Sequence, residues 1–239
     1  MPFLTAQWRR LILFNYRVEP HMLQSYLPAG TEPDIWNGTC YASVVGFMFL
    51  DTRLKGLKIP FHVNFEEINL RFYVRRLDPD SGEWKRGVVF VREVVPKPAI
   101  SLVANMIYGE RYRAHRMWHF WEENETELNV EYAWKQAGRW HSFGVKAENA
   151  PTDLKTGSEA EFITEHYWGY ARRTDRQTVE YQVEHPRWQV YPIQAWHCDI
   201  DFEAVYGQAF APLNEAEPVS MFLAEGSEVR VLGRKLLQV

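Results

Sequence analysis

The sequence predicts a mainly β protein with a few short helices, and three observations carry that prediction. Residues 66–74 (EEINLRFYV) alternate, with Ile68, Leu70 and Phe72 on one face and polar side chains on the other, which is the two-residue period of a strand. The segment 78–86 (DPDSGEWKR) between this run and the next has the residues of a turn. Aromatic residues make up 15% of the chain, a composition that favours strands.

Length and charge bound the organisation and the partners. With 239 residues and no linker-like stretch, we expect a single domain over residues 1–239. The chain carries 27 Lys and Arg against 31 Asp and Glu, a formal charge of −4, with no block of like charge. Neither nucleic acid nor a membrane is therefore an expected partner. The oligomeric state stays open, and a homo-oligomer is among the states that the sequence allows.

The N-terminal segment and the cysteines indicate the compartment. The apolar run at 11–14 (LILF) is too short for a signal-peptide core or a membrane span, so we expect a cytoplasmic protein. Cys40 and Cys198 are the two cysteines. Without a secretion signal, they are predicted to be buried thiols rather than a disulfide.

Turn and breaker residues divide the rest of the chain into elements. One hairpin is predicted at 65–76 and 87–95, and another at 127–135 and 139–146. Single strands are predicted at 40–50, where Gly46 marks a bulge or a close approach, and at 178–184 and 193–205, with a short strand pair in the tail 219–239. Helices are predicted near 19–27, with Pro20 at the start, and at 98–108, ended by Gly109.

The polar face of the strand at 66–74 allows two interpretations. Glu67, Asn69, Arg71 and Tyr73 lie on this face. In an open sheet they would point to water, as charged strand residues usually do. In a closed barrel they would line the lumen and form a polar pocket. Spacing alone leaves both interpretations open.

Five segments resemble an uncharacterised bacterial family, the YqjF-like proteins, and the resemblance covers nearly the whole chain. They are EINLRFYV (67–74), GVVF (87–90), FITEHYW (162–168), VEHPRW (183–188) and FLAEGS (222–227). That family in turn resembles acetoacetate decarboxylase. The resemblance implies a closed antiparallel β-barrel with a few peripheral helices and a ligand cavity in the lumen. It therefore favours the lumen interpretation of the polar face.

One segment of the chain bears on the decarboxylase chemistry. Acetoacetate decarboxylase relies on a Schiff-base lysine whose basicity a second lysine lowers, because only a neutral amine attacks a ketone. The run ANMIYGERYR (104–113) is similar to the segment with this pair and places Tyr112 and Arg113 at the two lysine positions. No lysine occurs between Lys97 and Lys135. A non-covalent reaction is therefore expected, while Glu67 matches the glutamate of the decarboxylase site.

The predicted site combines an acid with anion-binding groups. Glu67 is the expected proton carrier, paired with Arg71; Arg71 and Arg113 would bind a carboxylate or enolate, and Tyr112 would donate to a developing oxyanion. The other predicted ligand contacts are Asn69, Tyr73, Arg92 and His115. The expected ligand is a small anionic or carbonyl compound.

Two further questions concern catalysis and metals. A non-catalytic binding barrel needs the same pocket, so the sequence does not separate it from an enzyme. His115 and His119 stand four residues apart, but no third ligand accompanies them, and no metal or cofactor is expected.

Overall fold

The computed structural model describes residues 2–238, except for the side chains at 103, 104 and 108. The strands are β1 (Leu4–Arg17), β2 (Glu32–Pro33), β3 (Tyr41–Leu54), β4 (Phe65–Leu77), β5 (Trp84–Val95), β6 (Tyr112–Ala114), β7 (Arg116–Glu123), β8 (Glu127–Gln136), β9 (Arg139–Glu148), β10 (Thr152–Asp153), β11 (Trp168–Thr174), β12 (Gln177–Glu184), β13 (Gln189–Tyr191), β14 (Ile193–Asp199), β15 (Ser220–Val231) and β16 (Lys235–Gln238). The helices are α1 (Pro20–Leu23), α2 (Pro98–Tyr108), α3 (Glu159–Thr164) and α4 (Phe202–Tyr206), followed by a 3-10 helix at Gln208–Asn214. No helix in this range is long and apolar enough to cross a membrane.

Seven strands form a barrel-like ring in the order β15, β1, β3, β4, β5, β11, β12. The ring joins because β12 also pairs with β15, setting Val183 opposite Val231. One contact departs from the expected antiparallel pattern, since β11 runs parallel to β5. Parallel neighbours need a crossover connection, and the chain between these two strands supplies one by passing through α2 and a second sheet. The mainly β, barrel-like prediction is confirmed.

The second sheet lies over the outer face of the ring and consists of β14, β9, β8 and β7 in that order. Ile68, Leu70 and Phe72 of β4 point outward into the layer between ring and sheet and are fully buried. They belong to one cluster with Tyr132, Trp134 and Phe143 of the outer sheet. The apolar face of β4 is therefore buried against the outer sheet.

Gly46 makes the close approach that the sequence indicates. A Cβ at this position would lie 2.7 Å from Cζ of Phe143 and 2.8 Å from Cδ2 of Tyr132. Only a residue without a side chain lets the two rings reach the backbone of β3.

The predicted hairpins and the helix α2 are confirmed, and other elements differ. α2 begins at Pro98 and is capped after Tyr108 by Gly109, which has a φ of 72°. The strands β1 and β11 and the helix α3 were not predicted, and α1 is shorter than expected. The predicted strand at 193–205 ends at Asp199, because the side chain of Asp201 accepts from the backbone N–H of Ala204 and begins α4.

The C-terminal tail does not form the predicted strand pair. β15 pairs with β1, β12 and β13, whereas β16 pairs with β12. Gly226 lies within β15 opposite Arg9, so the chain does not turn there. Val239, at the end of the predicted tail, lies outside the described residues. Cys40 and Cys198 are free thiols, as predicted, with Cys40 buried and Cys198 partly buried.

Candidate functional site

A cavity of about 240 Å³ lies inside the ring. Its walls are largely aromatic and apolar, with polar groups in between. The aromatic part includes Trp8, Phe47, Phe49, Phe65, Trp168 and Trp188. The polar and ionisable part includes Glu67, Asn69, Arg71, Glu93, Glu110, Tyr112, His166 and Tyr181. A mostly apolar space with a few polar groups is typical of small-molecule sites.

β4 brings the first three polar groups to the cavity. Because its apolar residues face the outer sheet, the alternation turns Glu67, Asn69 and Arg71 inward. The Glu67 carboxylate accepts a hydrogen bond from Nδ2 of Asn69 at 3.0 Å. Its other oxygen accepts one from the hydroxyl of Tyr112 at 2.9 Å. The solvated-face interpretation is therefore wrong for this strand.

Tyr112 is held against Glu67 by the helix that precedes it. The short strand β6 runs parallel to β5, with Tyr112 opposite Glu93. Asn105 of α2 accepts from the backbone N–H of Tyr112 at 2.7 Å and donates to its carbonyl at 3.1 Å. Ser101 donates to the same carbonyl at 3.0 Å. The backbone of Tyr112 is thus fixed on both sides, which orients its side chain.

Three buried carboxyl groups share the cavity wall. Burial raises the pKa of Glu67 to about 7, although Asn69, Tyr112 and Arg71 act in the opposite direction. Burial also raises the pKa of Glu110 to about 8, despite a hydrogen bond from Tyr181 at 2.8 Å. The pKa of Glu93 is raised well above its ordinary value, by burial and then by the charges of Glu110 and Glu67. Near neutral pH, Glu93 and Glu110 therefore hold their protons, while Glu67 is divided between its protonated and ionised forms.

Arg71 does not form the predicted pair with Glu67. Its Nη2 instead donates to the carbonyl of Ile163 at 3.3 Å, and its Nε is buried without a hydrogen-bond partner. Arg71 and Glu67 are four residues apart on one strand face, which separates their backbones by roughly 13 Å along the strand. At this distance the guanidinium of Arg71 does not reach the carboxylate oxygens of Glu67. The spacing that places both side chains in the cavity also keeps them apart.

A second polar cluster reaches the cavity through His166. Nε2 of His166 lies 3.2 Å from Oδ2 of Asp34, which also accepts from Nε of Arg86 at 2.6 Å. Burial lowers the pKa of His166 to about 4, so the ring is neutral near pH 7. Burial alone would raise the pKa of Asp34, but the hydrogen bonds from His166 and Arg86 outweigh it and the pKa is lowered. Nδ1 of His166 is buried without a partner.

Four predicted site residues lie outside the cavity lining. Tyr73 shares the inward face of β4, but its hydroxyl lies 2.8 Å from Oγ of Ser43 and its ring packs against Phe162. Arg113 is exposed, because Tyr112 points inward and its strand neighbour points away. His115 is half-buried, and burial, followed by the nearby Arg92 and Arg113, lowers its pKa.

Arg92 is displaced by a β-bulge. Phe90 lines the cavity, so simple alternation would turn Arg92 inward as well. The pairing of β4 with β5 instead skips Val91, going from Leu70–Arg92 to Arg71–Phe90. Glu93 therefore takes the inward position, and Arg92 donates to the carbonyl of Val205. A bulge re-aims a side chain in this way.

Glu93, Glu110, His166 and Tyr181 were not predicted, and one had a usable signal. Glu93 stands in an otherwise apolar strand (GVVFVREVV), and a carboxylate in such a run is seldom placed without a partner. Glu110, His166 and Tyr181 come from separate elements and carry no comparable local pattern. None of the lysines of the described chain lines the cavity.

Solved structures with a similar fold cover almost the whole chain. An acetoacetate decarboxylase-like enzyme from Sphingomonas wittichii RW1 superposes with a TM-score of 0.67 at 16% identity, covering 100% of this chain and 94% of that one. The enduracididine biosynthesis enzyme MppR complexed with pyruvate gives a TM-score of 0.67 at 13% identity, covering 100% and 91%. Acetoacetate decarboxylase from Legionella pneumophila gives 0.64 at 13% identity, covering 99% and 87%. At these identities the likeness shows the fold, which is acetoacetate decarboxylase-like.

Comparison with family models identifies the family of the chain. No curated protein sequence matches it. The model of the DUF2071 family, described as an uncharacterized conserved protein, matches residues 5–228. The match confirms the prediction of an uncharacterised conserved family. The chain belongs to the DUF2071 family.

Proposed function

We propose that this protein is an enzyme that moves a proton on a small carboxylate or keto compound bound in the ring cavity, without a covalent intermediate. The observation that carries the proposal is Glu67: a buried carboxyl in the cavity wall with a pKa of about 7, held by Asn69 and Tyr112. A general acid or base is most effective when its pKa lies near the working pH.

The remaining lining groups have complementary roles in this proposal. Ionised Glu67 takes a proton from the carbon beside the substrate carbonyl, and the electrons of that C–H bond form the enolate. Glu93 stays protonated because its pKa is strongly raised, so it can donate to the enolate oxygen. Arg71, whose Nε has no partner in the protein, binds a carboxylate. Returning the proton to carbon or oxygen regenerates Glu67.

Two observations support a non-covalent route and a small keto compound. No lysine of the described chain lines the cavity, so no amine in the wall can attack a carbonyl. A structure of the same fold, MppR, is complexed with pyruvate. The aromatic walls exclude water around the acids and would strengthen each polar contact with such a ligand.

The test separates an enzyme from a binding module. A panel of pyruvate, acetoacetate and 2-oxobutyrate is screened by thermal shift, and the hits are followed by ¹H NMR in D₂O for loss of the protons beside the carbonyl. We expect the wild-type protein to accelerate this exchange. Glu67→Gln should slow it at least about 100-fold while the thermal shift persists.

The matched control is Glu66→Gln. Glu66 is adjacent to Glu67 in sequence but lies on the other face of β4, where its Oε1 lies 2.7 Å from Nδ1 of His119. This variant should exchange protons as fast as the wild type. Binding without exchange by the wild type would indicate the non-catalytic barrel, and equal rates for Glu67→Gln and wild type would remove Glu67 from the mechanism.

A further inference from the structure

The strand β7 presents an open edge. Within residues 2–238, β7 pairs with β8 on one side and with no strand on the other. Trp118 and Phe120 of this strand are 40% and 47% exposed. An edge strand with large apolar side chains offers its backbone N–H and C=O groups to another chain.

The hairpin turn determines which residues of β7 have backbone groups that point to the open edge. The backbone N–H of Asn124 donates to the carbonyl of Glu127 at 3.0 Å, and the register from Glu123–Leu128 to Arg116–Lys135 continues without a shift. Antiparallel strands alternate between residues that bond to one neighbour and residues that bond to the other. The even-numbered residues of β7 therefore bond to β8, and the backbone groups at 117, 119, 121 and 123 point to the open edge.

The side chains on the solvent face of β7 form a sequence that complements itself. Met117, His119 and Trp121 face the layer beneath the sheet, opposite buried residues of β8. Arg116, Trp118, Phe120 and Glu122 face outward, and all four are exposed. These residues are arranged symmetrically about position 119. Trp118 and Phe120 each stand one residue from it, and Arg116 and Glu122 each stand three residues from it.

We propose that two copies of this chain associate through β7, antiparallel to each other, with the two-fold axis at His119. In this register Arg116 lies opposite Glu122 of the second copy, and Trp118 lies opposite Phe120. Charge and aromatic pairs directly across two strands are each stabilising. The contact is isologous and extends the outer sheet from four strands to eight across the dimer.

Other registers lose this complementarity. A slip of one residue would place odd-numbered residues of one copy opposite even-numbered residues of the other. The backbone groups of the even-numbered residues are already bonded to β8, so the two strands could not pair. A slip of two residues would place Glu122 opposite Trp118 in one direction and opposite Ala114 in the other. The register centred on His119 is the one of these that opposes unlike charges.

Charge reversal tests the pairing. We expect the wild-type chain to dimerise in sedimentation equilibrium. Arg116→Glu or Glu122→Arg alone should raise the dimer dissociation constant at least about tenfold, because each puts like charges opposite at two symmetric places. The double variant should restore the wild-type constant. A wild-type chain that stays monomeric at its highest soluble concentration, or a double variant that is no better than the single ones, overturns the proposal.

Cross-linking tests the register independently. In the proposed dimer, position 119 faces itself across the axis at a Cα separation of about 5.5 Å, which a disulfide can span. His119→Cys should form a disulfide-linked dimer under mild oxidation. Phe120→Cys is the matched control: it faces position 118 and should remain monomeric on a non-reducing gel, as should the wild type with Cys40 and Cys198. Equal cross-linking of the two variants, or none at position 119, contradicts this register.

Discussion

Single residues in the cavity owe their chemistry to burial rather than to unusual partners. Glu67, Glu93 and Glu110 have raised pKa values chiefly because they are removed from water. The hydrogen bonds from Asn69, Tyr112 and Tyr181 only reduce that effect. The bulge beside Arg92 turns the side chain of Glu93, rather than that of Arg92, into the cavity. The cavity wall thereby gains a third carboxyl in place of a second guanidinium.

The lysine-free wall leads to a test of covalent chemistry. Incubation with acetoacetate or pyruvate followed by borohydride should leave the mass of the protein unchanged, because Tyr112 has no amine with which to form an imine. Acetoacetate decarboxylase treated in parallel is the positive control. A reduced adduct mapped by peptide mass spectrometry to a lysine in the cavity would contradict the non-covalent proposal.

Two arginines allow a matched binding experiment. Arg71→Met should weaken the strongest-binding carboxylate of the panel by roughly 10- to 100-fold, since a hydrogen bond to a charged group contributes about 1.5–3 kcal/mol. Arg113→Met should leave its affinity unchanged, because Arg113 is exposed and does not line the cavity. Isothermal titration calorimetry measures both. The opposite ranking would return Arg113 to the site, as the sequence first suggested.

At the level of elements, two packed layers place the site. β4 contributes apolar side chains to the layer under the outer sheet and polar ones to the cavity. α2 acts on the site through Tyr112, because its Asn105 and Ser101 hold the backbone of that residue. The position of the Tyr112 hydroxyl beside Glu67 therefore depends on the docking of a peripheral helix.

The contact between ring and outer sheet can be tested at Gly46. Gly46→Ala should lower the free energy of unfolding by about 1–3 kcal/mol, because its Cβ would overlap the rings of Phe143 and Tyr132. Gly233→Ala is the control, since no atom lies within 4 Å of a Cβ at that position. Urea denaturation measures both. Equal stabilities would mean that the two layers separate more easily than their packing indicates.

For the whole molecule, the buried acids and buried histidines act on stability in opposite pH ranges. A carboxyl with a raised pKa favours the folded state below its unfolded pKa, and this contribution is lost as the pH rises through the folded pKa. A histidine with a lowered pKa loses its contribution as the pH falls. Burial lowers the pKa of both His166 and His185 to about 4. Above about pH 6.5, the unperturbed pKa of histidine, the contribution of the histidines to the free energy of unfolding no longer changes with pH. Of these two groups, only the carboxyls then make the stability depend on pH.

We therefore expect the free energy of unfolding to fall between pH 6.5 and pH 8.5, by on the order of 2 kcal/mol. Glu67 and Glu110, with pKa values of about 7 and 8, cover this range. Glu110→Gln keeps an acceptor for Tyr181 and should make the fall shallower. Urea denaturation at several pH values measures the slope. A stability that rises over this range would show that the acids are ionised in the folded protein.

The sequence by itself determined the features that depend on residues close together in the chain. The alternation at 66–74 indicated which β4 residues share a face, Pro98 and Gly109 bounded α2, and the absence of lysine from 98–134 excluded a Schiff base in the segment that resembles the decarboxylase pair. Each of these signals lies within a dozen or so residues, or in composition. Such features survive in any tertiary arrangement.

The tertiary structure decided the features that depend on distant partners. β1 has an irregular register at Arg10 and buried residues on both faces, so it shows no clean alternation. The bulge in β5 exists only in its pairing with β4, and it exchanged Arg92 for Glu93. Asp34 meets His166 across 132 positions of the chain. Pairing register and long-range contacts are set by packing between elements, which periodicity along one strand does not contain.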